Sequence, residues 1–464
     1  MDLNGKRIGV YGYGVTGRAV VAALIGHPCQ IVVFDDRDDA QLASELSALA
    51  KEGDVEFHLG GWSPEEQYAR LNLLVVSPGI NLERPSVALA RNFGVEVLSE
   101  IELGWRLGKG TVLAVTGSNG KSTTTALLGK IIARSLSGGK GRVHVAGNIG
   151  SPYIAAAVLS GENDITVLEV SSYQLEASPT FHPHVAIYTN ITPDHLDRHK
   201  TFEAYAAVKR SMVRNLTRND FVIYNSEDEN LQPEKFPNSS PVFYGFTSAH
   251  GSMPEKGAWL ENGEILVDLG RGVVERYPQS MVKLRGLHNV ENCMCALLAA
   301  RVMDVSQADI IDAVSEFEGY PHRIEFVREI GGVKYYNDSK ATNPESTITA
   351  LRAFDEPIIL ILGGRDKGTS LEALARMVRN KVEKAVLLGE AAPRFEAALR
   401  EFGFGNIANA RSLEDAVAIA REAARPGRVV LFSPACASFD MFKSFEHRGE
   451  MFRKIVGSLE EVGP

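Results

Sequence analysis

The stretch "TVLAVTGSNGKSTTTALLGKIIARSL" constrains this chain more than any other. Its opening apolar run reads as a buried strand, Gly117 and Gly120 break it, and helical periodicity follows. Strand, glycine loop, then helix is the unit of a parallel α/β sheet. The glycines let the loop aim backbone N–H groups at a phosphate, and the helix N-terminus adds a favourable dipole. Lys121 can reach phosphate oxygens, and Ser122 or Thr123 can offer a hydroxyl to Mg²⁺. The spacing departs from the ordinary phosphate loop, because Val115 stands where that pattern has its first glycine.

A second glycine loop lies at "VYGYGVTGRAV". Gly12, Gly14 and Gly17 follow the apolar run "RIGV", and Asp35 and Asp36 come one strand later. That is the fingerprint of a dinucleotide-binding turn. Alone it points to an NAD-dependent oxidoreductase. The phosphate loop a hundred residues on is chemistry that hydride transfer does not need.

At 464 residues the chain exceeds one ordinary core. Apolar runs alternate with helical patterns almost throughout. The first third supplies "RIGVY", "QIVVF", "LLVVS" and "VEVLS"; a break is expected at Gly104–Gly110. The centre supplies "TVLAV", "ITVLEV", "HVAIYTN" and "DFVIYN", then turn-rich β segments from "SEDEN" to "RGVVERYPQ" at a sheet edge. A hinge at "EGYPHR" precedes "VKYYND", "PIILILGG", "KAVLLGE" and "RVVLFSP". We therefore expect an α/β protein of three domains. Residues 1–108 would be Rossmann-like, 109–320 a P-loop-type ATP-binding domain with a mostly parallel sheet, and 321–464 a second Rossmann-like domain.

A net charge of −9 argues against a nucleic-acid binder. An anionic ligand would have to be met by local cations and helix N-termini. No apolar run is long enough to span a bilayer. The start "MDLNGKRIGVYGYG" leaves no room for an export signal before the first strand. Cys29, Cys293, Cys295 and Cys436 form no C-x-x-C pair, which fits a reducing cytoplasm.

Two acidic clusters end strands in the phosphate-loop domain. "ITVLEV" puts Glu169 at a strand's C-terminal edge, and "YTNITPDHLDRH" brings Asp194, His195 and Asp197 after another. Open α/β sheets bind ligands at that edge, so a metal–phosphate site is expected there.

These motifs, with "EVSSYQLE", "NDSKATNP" and "SPACASFDMF", resemble the Mur ligases of bacterial peptidoglycan synthesis over nearly the whole chain. The last two set it apart from the sister ligases adding L-alanine, a diamino acid or a dipeptide, and from folylpolyglutamate synthase. The resemblance implies ATP-driven addition of D-glutamate to UDP-N-acetylmuramoyl-L-alanine through an acyl phosphate, by a cytoplasmic monomer using two Mg²⁺ ions. No nucleic acid or membrane would take part. It implies that Gly117, Ser118, Asn119, Gly120, Lys121, Ser122 and Thr123 hold the ATP phosphates. Asn289, Asn292, Arg323 and Asp338 would take adenine and ribose, and domain closure would assemble the site. Ser122 and Glu169 would bind one Mg²⁺; His195 and a carbamylated Lys209 would bind the second. Lys209 otherwise reads as a lysine on an amphipathic helix, and Asn289 as a helix N-cap. Lys340 would sit at the acyl-phosphate end, with Asn148 near metal and substrate. Asp194, Thr342, Lys367, Ser438 and Phe445 would form the D-glutamate pocket. Val15, Thr16, Asp35, Asp36, Arg37, Ser77 and Gly79 would hold the uridine diphosphate, and Ser171 and Gln174 the muramoyl part. The loop "GGRDKG" and Phe439 depart from the family's pattern of "GGDGK" and a leucine. Cys436 reads as a small buried residue, not a nucleophile.

Overall fold

The computed structural model describes every residue except 39, 53, 62–64, 140, 237, 246–255, 367 and 461–464; the side chains of 52, 197 and 233 are also outside the description. The fold is α/β, built on three sheets. The first contains β1 (Arg7–Tyr11), β2 (Gln30–Asp35), β3 (Val55–Leu59), β4 (Leu73–Val76) and β5 (Glu96–Ser99), in the order β3-β2-β1-β4-β5 and parallel throughout. Val and Ile dominate its central strands, which are buried on both faces as parallel strands must be. The order reverses between β1 and β4, and ligands bind at such a switch point. The Gly12 loop follows β1 there, and Ser77–Gly79 follows β4.

The second sheet contains β6 (Thr111–Thr116), β7 (Val143–Gly147), β8 (Ile165–Glu169), β9 (Val185–Tyr188), β10 (Phe221–Asn225), β11 (Ser240–Gly245), β12 (Gly257–Glu261), β13 (Glu264–Asp268) and β14 (Val274–Pro278). Its order is β14-β13-β12-β11-β10-β9-β6-β8-β7. The strands from β7 to β12 are parallel; β12 to β14 form an antiparallel meander at one edge, as the turn-rich sequence implied. Asn262 and Gly263, both at positive φ, make the two-residue turn from β12 to β13. The third sheet contains β15 (Glu325–Ile330), β16 (Val333–Asn337), β17 (Ile358–Gly363), β18 (Val382–Leu388), β19 (Ile407–Asn409) and β20 (Val429–Phe432), in the order β15-β16-β20-β17-β18-β19. Only the edge strand β15 runs antiparallel to its neighbour.

The first two sheets lie in one compact unit, Met1–Val282 with Glu291–Glu316; the third lies in another, Lys283–Val290 with Phe317–Pro464. The break expected at Gly104–Gly110 falls at the end of that range, at Gly108–Gly110. Helix Glu100–Leu107 runs through Gly104, whose missing Cβ leaves room for the Tyr153 ring, and the chain leaves the helix only at Gly108. No helix among the described residues is long and apolar enough to cross a membrane.

Candidate functional site

The phosphate loop is built as its sequence requires. After β6 the backbone reaches positive φ at Gly117 and at Gly120, which caps helix Lys121–Ser135. A Cβ on Gly117 would collide with the Thr189 hydroxyl, and one on Gly120 with the Asn292 carboxamide. The loop is pinned from β9: Ser118 N–H donates to Asn190 O at 2.8 Å, and Asn119 N–H to Asn190 Oδ1 at 2.9 Å. Ser118 and Ser122 are buried, as is Thr123.

Two ammonium groups meet at this loop. Lys121 Nζ donates to Gly117 O and Ser118 O, both at 2.8 Å. Lys209 Nζ, from helix Phe202–Arg210, donates to the same Gly117 O at 2.8 Å. Lys209 is only 2 % exposed. Burial, then repulsion from Lys121, pushes its pKa well below the usual lysine range, although Asp194 and Glu169 pull the other way.

Glu169 ends β8 beside the loop and is 1 % exposed. Its Oε1 accepts from Asn148 Nδ2 at 2.8 Å, whereas Oε2 is buried without a hydrogen-bond partner. A divalent cation is the group such an oxygen fits, because an unmatched buried acceptor is costly. Among the described residues no three His, Cys, Asp or Glu side chains gather as a metal cluster. The fit therefore rests on Glu169 with hydroxyl and phosphate oxygens.

His195 caps a short helix in the left-handed region, at φ 52°. Its Nδ1 lies 2.9 Å from the Tyr173 hydroxyl and its Nε2 3.5 Å from Asp194 Oδ2. Sequence reasoning missed Tyr173, although it stands inside "SSYQLE". It also missed Arg198, which grips Glu176 at 2.6 Å and donates to Ile80 O at 2.9 Å, joining the two sheets of this unit. The signal for Arg198 was the charged run "DHLDRH". The Asp197 side chain lies outside the described residues. Ser171 and Gln174 cap helix Ser172–Leu175 for each other: Ser171 N–H and Oγ–H each donate to Gln174 Oε1 at 2.9 Å.

At the first sheet's switch point, Gly17 packs against Gly12 so closely that a Cβ would strike the Gly12 carbonyl. A Cβ on Gly14 would stand in open space, and Val15 is exposed. Thr16 is half-buried and Gly79 exposed. Ser77 Oγ–H donates to Gly12 O at 2.7 Å. Asp35 turns inward: its Oδ2 accepts Tyr13 N–H at 2.6 Å, and Arg37 holds both its oxygens. Burial works to raise the Asp35 pKa, but these bonds outweigh it and hold it at about 2. Asp36 accepts from the Tyr11 hydroxyl at 2.9 Å and pairs with Arg84 at 2.6 Å.

In the second unit, Asp338 follows β16 and is buried. Its carboxyl accepts from Ser433 Oγ at 2.6 Å and Ile324 N–H at 3.2 Å, and burial lifts it to about 7. Lys340 Nζ lies over the rings of Tyr320 (4.6 Å) and Phe445 (5.1 Å), and Ser438 is buried. Thr342 and Arg323 are half-buried, and Lys367 lies outside the described residues. Asn289 is no N-cap, which corrects that expectation: it sits inside helix Leu287–Val302 and donates from Nδ2 to Arg285 O at 2.6 Å. Asn292, in the first unit, is buried against Gly120. Phe439 is exposed. Cys436 is buried, and that burial pushes its thiol up to about 12, so it offers no nucleophile at neutral pH.

Three family models match in chain order: "Mur ligase MurD-like, N-terminal domain" over residues 6–99, "Mur ligase middle domain" over 115–300, and "Mur ligase, glutamate ligase domain" over 322–436. A relative from Pelotomaculum thermopropionicum, named UDP-N-acetylmuramoylalanine–D-glutamate ligase, is 42 % identical over 99 % of this chain and 99 % of its own length. The chain belongs to the Mur ligase family. Relatives of the same name from Koribacter versatilis and Clostridioides difficile are 39 % and 38 % identical, each over 99 % of this chain and 99–100 % of their own. Among solved structures, a pseudomurein peptide ligase type C from Methanothermus fervidus matches with a TM-score of 0.58 and 16 % identity, over 98 % of this chain and 100 % of that one. A UDP-N-acetylmuramate–alanine ligase from Thermotoga maritima matches equally well, over 98 % and 99 %. These last two show that the fold is that of Mur ligases.

Proposed function

We propose that the chain is an ATP-dependent ligase that joins D-glutamate to UDP-N-acetylmuramoyl-L-alanine, a step of peptidoglycan synthesis. The observation that carries this reading is the full-length likeness, at 38–42 % identity, to relatives named for that reaction. The convergence of Lys121 and Lys209 on one loop carbonyl supports the phosphate chemistry. We read the domains as 1–108, 109–320 and 321–464, which the spans of the three family models support. We read the enzyme as a cytoplasmic monomer.

An acceptor carboxylate oxygen attacks the γ-phosphorus of ATP, the bond to ADP breaks, and an acyl phosphate forms. The amine of D-glutamate, having lost a proton, then attacks the acyl carbon, and phosphate leaves. Mg²⁺ held by Ser122 and Glu169, with a second ion on His195 and carbamylated Lys209, would offset repulsion between carboxylate and triphosphate. The N–H groups of Gly117–Thr123 and the Lys121 ammonium orient the phosphates. A neutral Lys209 amine is what CO₂ requires to form a carbamate, releasing one proton, and its surroundings favour that neutral form. Asn148 steadies Glu169. Asn289, Asn292, Arg323 and Asp338 are assigned to adenine and ribose. Lys340 is assigned to the acyl phosphate. Thr342, Lys367, Ser438 and Phe445 are assigned to D-glutamate, as is Asp194, whose charge suits an ammonium. Val15, Thr16, Asp35, Asp36, Arg37, Ser77 and Gly79 are assigned to the uridine diphosphate, with Asp35 shaping the loop from inside. Ser171 and Gln174 are assigned to the muramoyl group.

The test is ATP-dependent phosphate release by the purified chain with UDP-N-acetylmuramoyl-L-alanine and a panel of amino acids. D-Glutamate is expected to give the highest rate. Preference for L-alanine, a diamino acid or L-glutamate would overturn the substrate assignment.

A further inference from the structure

Glu100 is a buried carboxyl to which the reaction above gives no task. It opens helix Glu100–Leu107, which packs on helices Tyr153–Ala157 and Ser172–Leu175 of the same unit. It is 1 % exposed. Its Oε1 accepts Ile154 N–H at 2.5 Å, in the helix that follows the Asn148–Gly150 turn. Its Oε2 is buried and makes no hydrogen bond of good geometry, although the Gln174 amide lies close enough to favour its ionised form. The charges nearby are spent elsewhere: Glu102 holds Arg106 and Thr180, and Glu96 holds Arg106. From the facing helices come the Tyr153 phenol, itself held neutral, and the Gln174 amide. Burial lifts the Glu100 carboxyl to about 7, while Ile154 N–H and Gln174 pull it down.

We propose that Glu100 is a positioning residue for the acceptor: when ionised, its open oxygen takes Nε2 of Gln174 and fixes the amide whose other end Ser171 already holds. This rests on the ligase reading, in which Ser171 and Gln174 meet the muramoyl group. An amide held only at Oε1 leaves its NH₂ end without a fixed partner and can rock about its last bond. Held at both ends, it presents one remaining N–H in a set direction. A proton on Oε2 puts a donor where an acceptor is needed and leaves only the weaker hydroxyl lone pair, so the hold weakens. Acceptor binding therefore strengthens as pH rises through neutrality.

Isothermal titration of the full chain with UDP-N-acetylmuramoyl-L-alanine, without ATP, tests this between pH 6 and 8.5. The wild type is expected to bind about fivefold more tightly at the higher pH, the worth of one ordinary hydrogen bond. Glu100→Gln, which keeps the Ile154 bond but turns an N–H toward Gln174, is expected to bind weakly at both. KM for ATP and kcat at saturating acceptor should stay unchanged. A variant with the wild-type pH dependence, or an equal change in KM for ATP, would overturn the role. Thermal unfolding gives a readout free of substrate. The folded pKa lies above the unfolded one, so the wild type should lose stability relative to Glu100→Gln as pH rises from about 4.5 past 7. Parallel stability curves would mean that the Glu100 pKa is the same in the folded and unfolded chain, so that the carboxyl is already ionised across this range, and the proposal fails there. With that thermal difference present, no acceptor binding by the wild type at any pH would instead remove the ligase reading, and the role with it. Should Glu100→Gln not unfold cooperatively, Glu100→Ala replaces it, with the same flat, weak binding expected.

Discussion

Lys209 lies on a helix, "TFEAYAAVKRSM", whose sequence pattern does not reveal that the lysine is buried. A lysine's long stem can reach inward or outward from the same helical position, and only the neighbours decide. That is why its placement was legible through family likeness alone, whereas Gly117, Gly120 and Lys121 could be read from loop chemistry. Replacing Lys209 by alanine is expected to lower turnover at least 100-fold, and short carboxylic acids should restore part of it by supplying the missing anion, in the manner of other lost charged groups. Substantial activity in the unrescued variant would count against the carbamate. The glycines of the first loop separate two roles. Gly17→Ala should destabilise the chain by roughly 1–3 kcal/mol, because its Cβ meets the Gly12 carbonyl. Gly14→Val has room and should leave stability intact while raising KM for the acceptor and not for ATP. Steady-state kinetics beside thermal melts would expose the reverse pattern.

At the scale of elements, helix Glu100–Leu107 is the seam between the first two sheets. Glu102 within it is fully buried, accepting from Arg106 Nε at 2.7 Å, from Thr180 N–H at 3.0 Å and from the Thr180 hydroxyl. Glu102→Ala leaves a guanidinium and a backbone N–H short of their acceptor. It should cost about 3–5 kcal/mol of unfolding free energy, measured by denaturant melts. A loss below 1 kcal/mol would show that water or a rearranged Arg106 replaces it. Strands of continuous Val, Ile and Leu were plain in the sequence, as was the turn-rich meander. Four were not: β3, β7, β15 and β19 read "VEFHL", "VHVAG", "EFVREI" and "IAN". All four lie at sheet edges, where one flank is unpaired and an unbroken apolar run is not required. Gly104 misled for the opposite reason, since a ring in a neighbouring helix demanded a glycine inside a helix.

Over the whole molecule, the second unit is not continuous in sequence, because it takes in Lys283–Val290 from before the last helices of the first. Arg285 in that segment binds both oxygens of Glu356 at 2.8 Å and lies over the Tyr336 and Phe354 rings. A fragment begun at Phe317 lacks these contacts; one begun at Lys283 keeps them. Thermal melts should therefore place the longer fragment several degrees above the shorter, as a few kcal/mol implies for a domain of this size. Equal midpoints would refute the claim that Lys283–Val290 belongs to this unit energetically. The hinge at "EGYPHR" was legible from its glycine and proline, but the earlier crossing was not, since "KLRGLHNVEN" reads simply as the approach to a helix. One inward-facing side chain also bears on which nucleotides this molecule can mistake for its own. In a dinucleotide-binding turn, the acid after the second strand meets the ribose diol. Here Asp35 is occupied by Tyr13 and Arg37, so that handshake is unavailable. Inhibitors built on the adenosine half of NAD should pass this turn by, and a compound that imitates uridine would find less competition from the cell's dehydrogenases.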